Sequence, residues 1–321
     1  MKICIVGASG YIGSYLSRHF DQLNYEVLQV VRNHHIDNAE LVFGNSKILF
    51  GDITSKNFVD ELVEEEFDFL VYCVSMNHFK SQENLAKSIE VNVEPFSYLT
   101  EKLSLKSNFK RIIYFSTMQV YGQIPPGALI TENLPTRPSN IYGLTHLICE
   151  DIINYYERNN SLSGASIRLS NGYGFPELST VDCWWLVVND LCQQVVKTSK
   201  IILKSDGSPQ RDFIHLSDIA KAVELILNSQ DAMERVYNVA STNTFTMLEL
   251  ARMVSKIASN VGIENSIELP VGADINQDFQ SLNKFRIGID NLISMGFSST
   301  VSLEDGIRDI IIRLSDKEKN K

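Results

Sequence analysis

Gly7-Ala8-Ser9-Gly10-Tyr11-Ile12-Gly13 comes directly after the apolar run Lys2-Ile3-Cys4-Ile5-Val6, and this junction constrains the fold more than any other stretch of the chain. A short apolar run reads as a buried strand, and the spacing of apolar residues over 11–23 reads as an amphipathic helix. Between them, the first glycine permits a sharp turn, the second lets backbone approach a pyrophosphate, and the third lets helix pack on strand. The start of the helix then offers free N–H groups and a positive dipole end to phosphate. The spacing is GxxGxxG rather than GxGxxG, and a glycine triplet alone is a weak signal. Set between strand and helix, it points to a dinucleotide site made by Gly7, Ser9, Gly10, Tyr11, Ile12 and Gly13.

The alternation continues along the chain. Strands are expected at Glu26–Val31, Lys47–Phe50, 69–74, 111–115 and 165–169, with helices over 85–103 and Ile141–Arg158. Such βα units assemble into a parallel sheet covered on both faces. After Pro176 the pattern loosens, with helices expected at 184–197, 219–227, 247–258 and 303–314 and strands at 201–203 and Val236–Val239. The expected fold is α/β: a Rossmann-type doubly wound parallel sheet over residues 1–175, with a smaller mixed α/β C-terminal substrate lobe over 176–321. Residues near 205–240 are expected to return to the sheet.

Composition narrows the partners. With 44% hydrophobic and 21% charged residues, the chain has ordinary globular content, and its formal charge of -10 repels nucleic acid and anionic membranes. Cys4, Cys73, Cys149, Cys183 and Cys192 have no metal-type spacing and suit free thiols in a reducing compartment. No leader pattern and no apolar stretch long enough for a bilayer are visible, so the cytoplasm is the expected address, without a metal.

Asp52 and Ile53 follow the third strand, where a carboxylate would accept from an adenine amino group or, alternatively, cap a helix. At the end of the second strand an NAD site usually carries Asp or Glu for the ribose diol. This chain has Arg32 and Asn33, which tilts the choice toward NADP, since Arg pairs with a 2′-phosphate. His34 and His35 lack a partner at ligand spacing. Cys73 and Val74, closing the fourth strand, are expected beside the cofactor.

Two segments carry the chemistry. Phe115-Ser116-Thr117-Met118-Gln119-Val120-Tyr121-Gly122 and Ile141-Tyr142-Gly143-Leu144-Thr145-His146 resemble the active-site segments of the extended short-chain dehydrogenase/reductases, specifically the NAD-dependent epimerase/dehydratase family. The resemblance in pattern covers nearly the whole chain. It implies Tyr142 as the proton-exchanging phenol, Thr117 as the hydroxyl on the reacting oxygen, and position 146 as the group that holds the nicotinamide ribose. Residues four apart share a helix face, so Tyr142 and His146 project together.

The family has Lys where this chain has His146. A lysine lowers the phenol from its free pKa of about 10, whereas a neutral imidazole supplies less charge. Three readings follow: His146 is a substitute orienter, or the enzyme is retuned to a task needing less phenolate, or it only binds. Met118 and Gln119 stand where the 4,6-dehydratases carry Asp and Glu, which argues for simple hydride chemistry.

On the substrate side, Arg168-Leu169-Ser170-Asn171-Gly172-Tyr173-Gly174 and Gly207-Ser208-Pro209-Gln210-Arg211-Asp212-Phe213-Ile214-His215 also resemble family segments. They imply Asn171 and Arg211 as contacts to the diphosphate of a nucleotide sugar, Arg211 through its forked donors. Arg286 is a second cation of this kind. Trp184 or Trp185 would stack on a base or else sit in the core, with Asn189 nearby. Asn77 and His78 are sugar contacts at the C-terminal edge of the sheet. Asp218 is read as a helix cap and His215 as structural. The function expected is an NADP-linked 4-ketoreductase or C4 epimerase of a nucleotide sugar, and the family implies a homodimer through the helices over 85–103 and Ile141–Arg158. The alternative is a non-catalytic dinucleotide-binding sensor or scaffold.

Overall fold

The apolar runs read as strands lie side by side in one parallel sheet. In chain order the strands are β1 (Lys2–Val6), β2 (Glu26–Val31), β3 (Lys47–Phe50), β4 (Phe69–Tyr72), β5 (Arg111–Thr117), β6 (Leu129–Ile130) and β7 (Gly164–Leu169). There follow β8 (Asn171–Tyr173), β9 (Lys200–Ile202), β10 (Gln210–His215), β11 (Val236–Val239), β12 (Thr244–Thr246), β13 (Ser266–Glu268) and β14 (Arg286–Ile287). The computed structural model describes residues 1–32, 44, 46–159, 161–229, 235–277, 279 and 283–319.

Seven strands form the main sheet in the order β11-β7-β5-β4-β1-β2-β3. Every neighbouring pair is parallel, with Ile3 opposite Val27 on one side of β1 and opposite Phe69 on the other. Side chains alternate across the sheet. Ile3 and Ile5 join the core on one face, while Cys4 and Val6 join the core on the other. Burial on both faces explains why these strands read as continuous apolar runs.

The helices are α1 (Tyr11–Gln22), α2 (Lys56–Glu64), α3 (His78–Glu83), α4 (Leu85–Asn92), α5 (Glu94–Ser104) and α6 (Ile141–Arg158). The rest are α7 (Val187–Thr198), α8 (Leu216–Asn228), α9 (Met247–Asn260), α10 (Asp290–Ser294) and α11 (Leu303–Lys319). Leu16 and Phe20 of α1 share a core with Ile219 and Val223 of α8 on one face of the sheet. Phe58 of α2, Phe96 of α5 and Cys149 of α6 cover the other face. A separate core joins Leu191 of α7, Val254 of α9 and Ile307 of α11.

The structure corrects three local readings. The helix expected over 85–103 is two helices, because Pro95 sits in the first turn of α5 and cannot donate to the preceding turn. The helix α8 begins at Leu216 with His215 as its cap, through Nδ1 accepting from Ser217 N. Asp218, fully buried inside that helix, instead accepts from Ser299 Oγ, Thr300 N and Oγ1 and Val301 N. Strands β8, β10 and β12, which form a second small sheet, lay hidden in sequence that reads as loop. Among the described residues, no helix is long and apolar enough to cross a membrane.

Candidate active site

The strand order reverses direction between β1 and β4, and the crevice at their C-terminal ends is where open α/β sheets bind ligands. A cleft of 1160 Å³ opens there. Gly7, Gly10, Tyr11, Ile12 and Gly13 line one end of it. Gly7 has φ +90°, a conformation that suits glycine. A Cβ on Gly13 would lie 2.2 Å from Gly7 O, so α1 packs on the turn too closely for any side chain. This cradle fits a pyrophosphate: bare backbone, followed by the N-terminus of a twelve-residue helix. Ser9 belongs to the same turn, although it is not part of the cleft wall.

At the outer end of the cradle, Asp52 and Arg32 are exposed and feel each other's charge. Desolvation opposes ionisation of Asp52, but hydrogen bonds from Thr54 N and Oγ1 and the field of Arg32 prevail and lower its pKa. Asp52 does not cap α2; Ser55 does. Ile53 is buried in the core, and Val74 packs its Cγ2 against Gly7. Asn33 lies outside the described residues, as do His34 and His35.

Thr117, Met118 and Gln119 line the middle of the cleft together with Tyr142 and Cys73. Local packing creates this meeting. Thr117 ends β5 and caps the short 3-10 turn Met118–Tyr121. Asn140 caps α6 by accepting from Gly143 N at 2.7 Å and donates to Gln119 Oε1 at 2.8 Å. A Cβ on Gly143 would come within 2.7 Å of Gln119 O, so only glycine lets the start of α6 lie on that turn. Behind them, Glu150 is buried and accepts from Ser116 Oγ and from the Arg168 guanidinium. The neighbour of Thr117 is thereby anchored.

Burial pushes the Tyr142 phenol up, and a hydrogen bond with Ser75 opposes the shift. His146 is stacked edge-on to Tyr142, ring centroids 4.4 Å apart, but is only 3% exposed and does not line the cleft. Its Nδ1 pairs with Tyr114 Oη at 2.8 Å, and its Nε2 is buried without a hydrogen-bond partner. Desolvation lowers its pKa to about 4, so the imidazole is neutral at physiological pH. No ammonium stands beside the phenol among the described cleft residues.

Toward the second lobe, the wall contains Asn77, His78, Asn171 and Arg211. Asn77 caps α3, and Asn171 Nδ2 donates to Asp212 O at 2.8 Å. Arg211 is the one Lys or Arg among the described lining residues, and its Nη1 donates to Gln210 O at 2.8 Å. Two sequence-based candidates are not brought here. Asn189 is fully buried and spends its amide on Gly174, Tyr11 Oη and Cys183 Sγ, which makes it an internal tie. Arg286 is exposed on β14; its neighbours Phe285 and Ile287 line the cleft, and alternate side chains of a strand point to opposite sides. The tryptophan pair divides: Trp184 packs in the core, and Trp185 lines the cleft. Sequence reasoning missed Ser75, Phe79 and Asn140. Only Asn140, an Asn before a helix, carried a readable signal.

Comparison with known proteins agrees with this geometry. The model of the NAD dependent epimerase/dehydratase family matches residues 3–240. The chain is 23% identical to a putative UDP-glucose 4-epimerase of Methanocaldococcus jannaschii, over 96% of this chain and 97% of that one. It is also 23% identical to a trifunctional UDP-glucose 4,6-dehydratase/UDP-4-keto-6-deoxy-D-glucose 3,5-epimerase/UDP-4-keto-L-rhamnose-reductase of Arabidopsis thaliana, covering 96% of this chain but only 46% of that longer protein. The crystal structure of Thermus thermophilus UDP-glucose 4-epimerase in complex with NAD superimposes with a TM-score of 0.82 at 22% identity, over 98% of this chain and 99% of that one. With a Rossmann sheet, a glycine cradle at its switch point and a family match over most of its length, the chain belongs to the NAD-dependent epimerase/dehydratase family, enzymes of the extended short-chain dehydrogenase/reductase type.

Proposed function

We propose that the protein is an NADP-linked 4-ketoreductase of a nucleotide sugar, with Tyr142 as the acid that protonates the oxygen on sugar C4. The observation that carries this reading is the setting of Tyr142: burial raises the phenol, and the position one helical turn on holds a neutral imidazole instead of an ammonium. A phenol kept protonated is a donor, and reduction of a ketone ends in proton donation. When bound, a reduced nicotinamide supplies the hydride. Thr117 hydrogen-bonds the reacting oxygen, and Met118 and Gln119, which are not acids, leave elimination without its catalysts.

Residues 1–175 serve the cofactor in this reading. The backbone from Gly7 through Ser9, Gly10, Tyr11 and Ile12 to Gly13 holds the pyrophosphate, and Asp52 and Ile53 sit by the adenine. Arg32 and Asn33 take the 2′-phosphate and Cys73 and Val74 border the nicotinamide side, while His146, buried behind Tyr142 and off the cleft wall, is left without the ribose role that its position suggested. Residues 176–321 complete the substrate side. Arg211 takes the diphosphate with Asn171, while Asn77 and His78 meet the sugar. The protein is expected to be a homodimer through α4, α5 and α6, where Leu85, Leu144 and Tyr155 are exposed, a state that sedimentation would report.

The test is loss of NADPH absorbance with nucleotide-linked 4-keto-6-deoxy sugars. Tyr142→Phe should lower kcat by about 10² to 10⁴ with NADPH affinity unchanged. A C4 epimerase is the second reading, supported by the similarity to the putative UDP-glucose 4-epimerase of Methanocaldococcus jannaschii. A cofactor retained through purification and epimer formation by NMR would select it. Silence in both assays would leave a protein that only binds dinucleotide.

A further inference from the structure

Tyr11 belongs to the glycine turn by its backbone and to the second lobe by its side chain. It is the first residue of α1, with Gly10 as the cap, so its N–H is one of those that a phosphate on the turn would meet. Its phenol Oη donates to Gly174 O at 2.7 Å and accepts from Asn189 Nδ2 at 3.2 Å, partners 163 and 178 residues away along the chain. The one proton of the hydroxyl is thereby spent inside the fold and not on a ligand.

Asn189 carries the tie onward. It is fully buried, donates to Gly174 O at 2.9 Å and to Cys183 Sγ at 3.2 Å, and accepts from Gly174 N at 3.3 Å. Cys183 lines the cleft with Asp182, Trp185 and Leu186. The helix α7, which holds Asn189, packs in the second core, whereas Leu16 and Phe20 of α1 belong to the core over the sheet. Further along α1, Arg18 pairs with Glu177, just beyond Gly174. The start of α1 and the wall at 182–186 are therefore joined by a short chain of hydrogen bonds with one hydroxyl at its centre. Order that a first ligand imposes need not be imposed again by a second, which couples two sites without a change of shape. We infer that Tyr11 is a positioning residue that couples the two halves of the cleft: a dinucleotide seated on the glycine turn steadies the wall at 182–186 through the Tyr11 hydroxyl, and the second ligand then binds more tightly. This rests on the reading of the turn as the dinucleotide site.

Amide exchange over 182–189, with and without dinucleotide, reads this coupling. Wild type is compared with Tyr11→Phe, which removes only the hydroxyl oxygen, each at about a hundred times its own dissociation constant for NADPH or NADH. In the wild type, bound dinucleotide should slow exchange there about fivefold or more. In Tyr11→Phe the slowing should shrink to less than about twofold, while slowing over 7–13 persists. Slowing over 182–189 that survives in the variant overturns the coupling, even where the free variant exchanges faster, since that is the mark of a merely structural hydroxyl. Absence of slowing in the wild type overturns it as well. Calorimetry gives the reciprocal measure: UDP should bind dinucleotide-loaded wild type about fivefold more tightly than the free protein, a gain that Tyr11→Phe should lose. A gain retained in the variant overturns the coupling. UDP that binds neither form counts against the nucleotide-sugar reading alone, and exchange then decides on Tyr11. Wild type that binds neither dinucleotide defeats the reading of the turn, and the coupling with it.

Discussion

An ammonium beside Tyr142 would make the phenol easier to ionise; the imidazole of His146, neutral and held by Tyr114, does not. The same burial has a consequence for stability. An unfolded His takes up its proton near pH 6.5, whereas folded His146 does so only near pH 4. Between these values the unfolded chain binds more protons, so the contribution of His146 is present above pH 6.5 and is lost as pH falls toward 4. Its loss by pH 5 is on the order of 2 kcal/mol. His146→Gln should therefore show a shallower fall in urea midpoint from pH 7 to pH 5 than wild type. Equal slopes would mean that the ring is not buried as a neutral base. At this scale, the presence of Thr117, Tyr142 and the glycine turn in one cleft was legible, because turn geometry and the reach of one helical turn are local. The inward turn of His146, the internal role of Asn189 and the outward turn of Arg286 were not, since each depends on neighbours distant in sequence.

Elements whose signals are local appear where the sequence puts them, and those completed by partners do not. The run Lys2–Val6 and the long helix Ile141–Arg158 match expectation, because apolar periodicity and an Asn cap suffice. Strand β10 pairs with β8 and β12, and its short polar stretches read as loop until those partners are known. Asp218 belongs here too. Its carboxylate ties residues 299–301, just ahead of α11, to α8, and α11 in turn packs in the core with α7 and α9. Removing a buried acceptor of several N–H and O–H donors leaves them unpaired. Asp218→Ala should cost about 3 kcal/mol in urea unfolding and speed amide exchange in Leu303–Lys319 before it does so in β1. Exchange that rises evenly throughout would deny this tie a local role.

At the scale of the whole molecule, anything that binds only the folded chain raises its stability by mass action. At a hundred times its dissociation constant, NADPH should add about 2.7 kcal/mol, and NADH at the same concentration less. Arg32→Ala should bring the two cofactors together in thermal shift. An unchanged gap would remove Arg32 from the choice. The net charge of -10 is not spread evenly, because the N-terminus of α1 and the Arg211 side chain both border the cleft. By itself the sequence determined the parallel α/β sheet and the cradle after β1, and it singled out Thr117 and Tyr142, which the fold brings to one cleft, since apolar periodicity, glycine spacing and helix pitch act over a few residues. Only the tertiary structure decided that the imidazole at 146 is buried and neutral, that Arg211 faces the cleft while Arg286 does not, and that Phe79 meets Trp185. These outcomes depend on desolvation and on contacts between segments apart in sequence, from Tyr114 with His146 to Phe79 with Trp185, which no local pattern encodes.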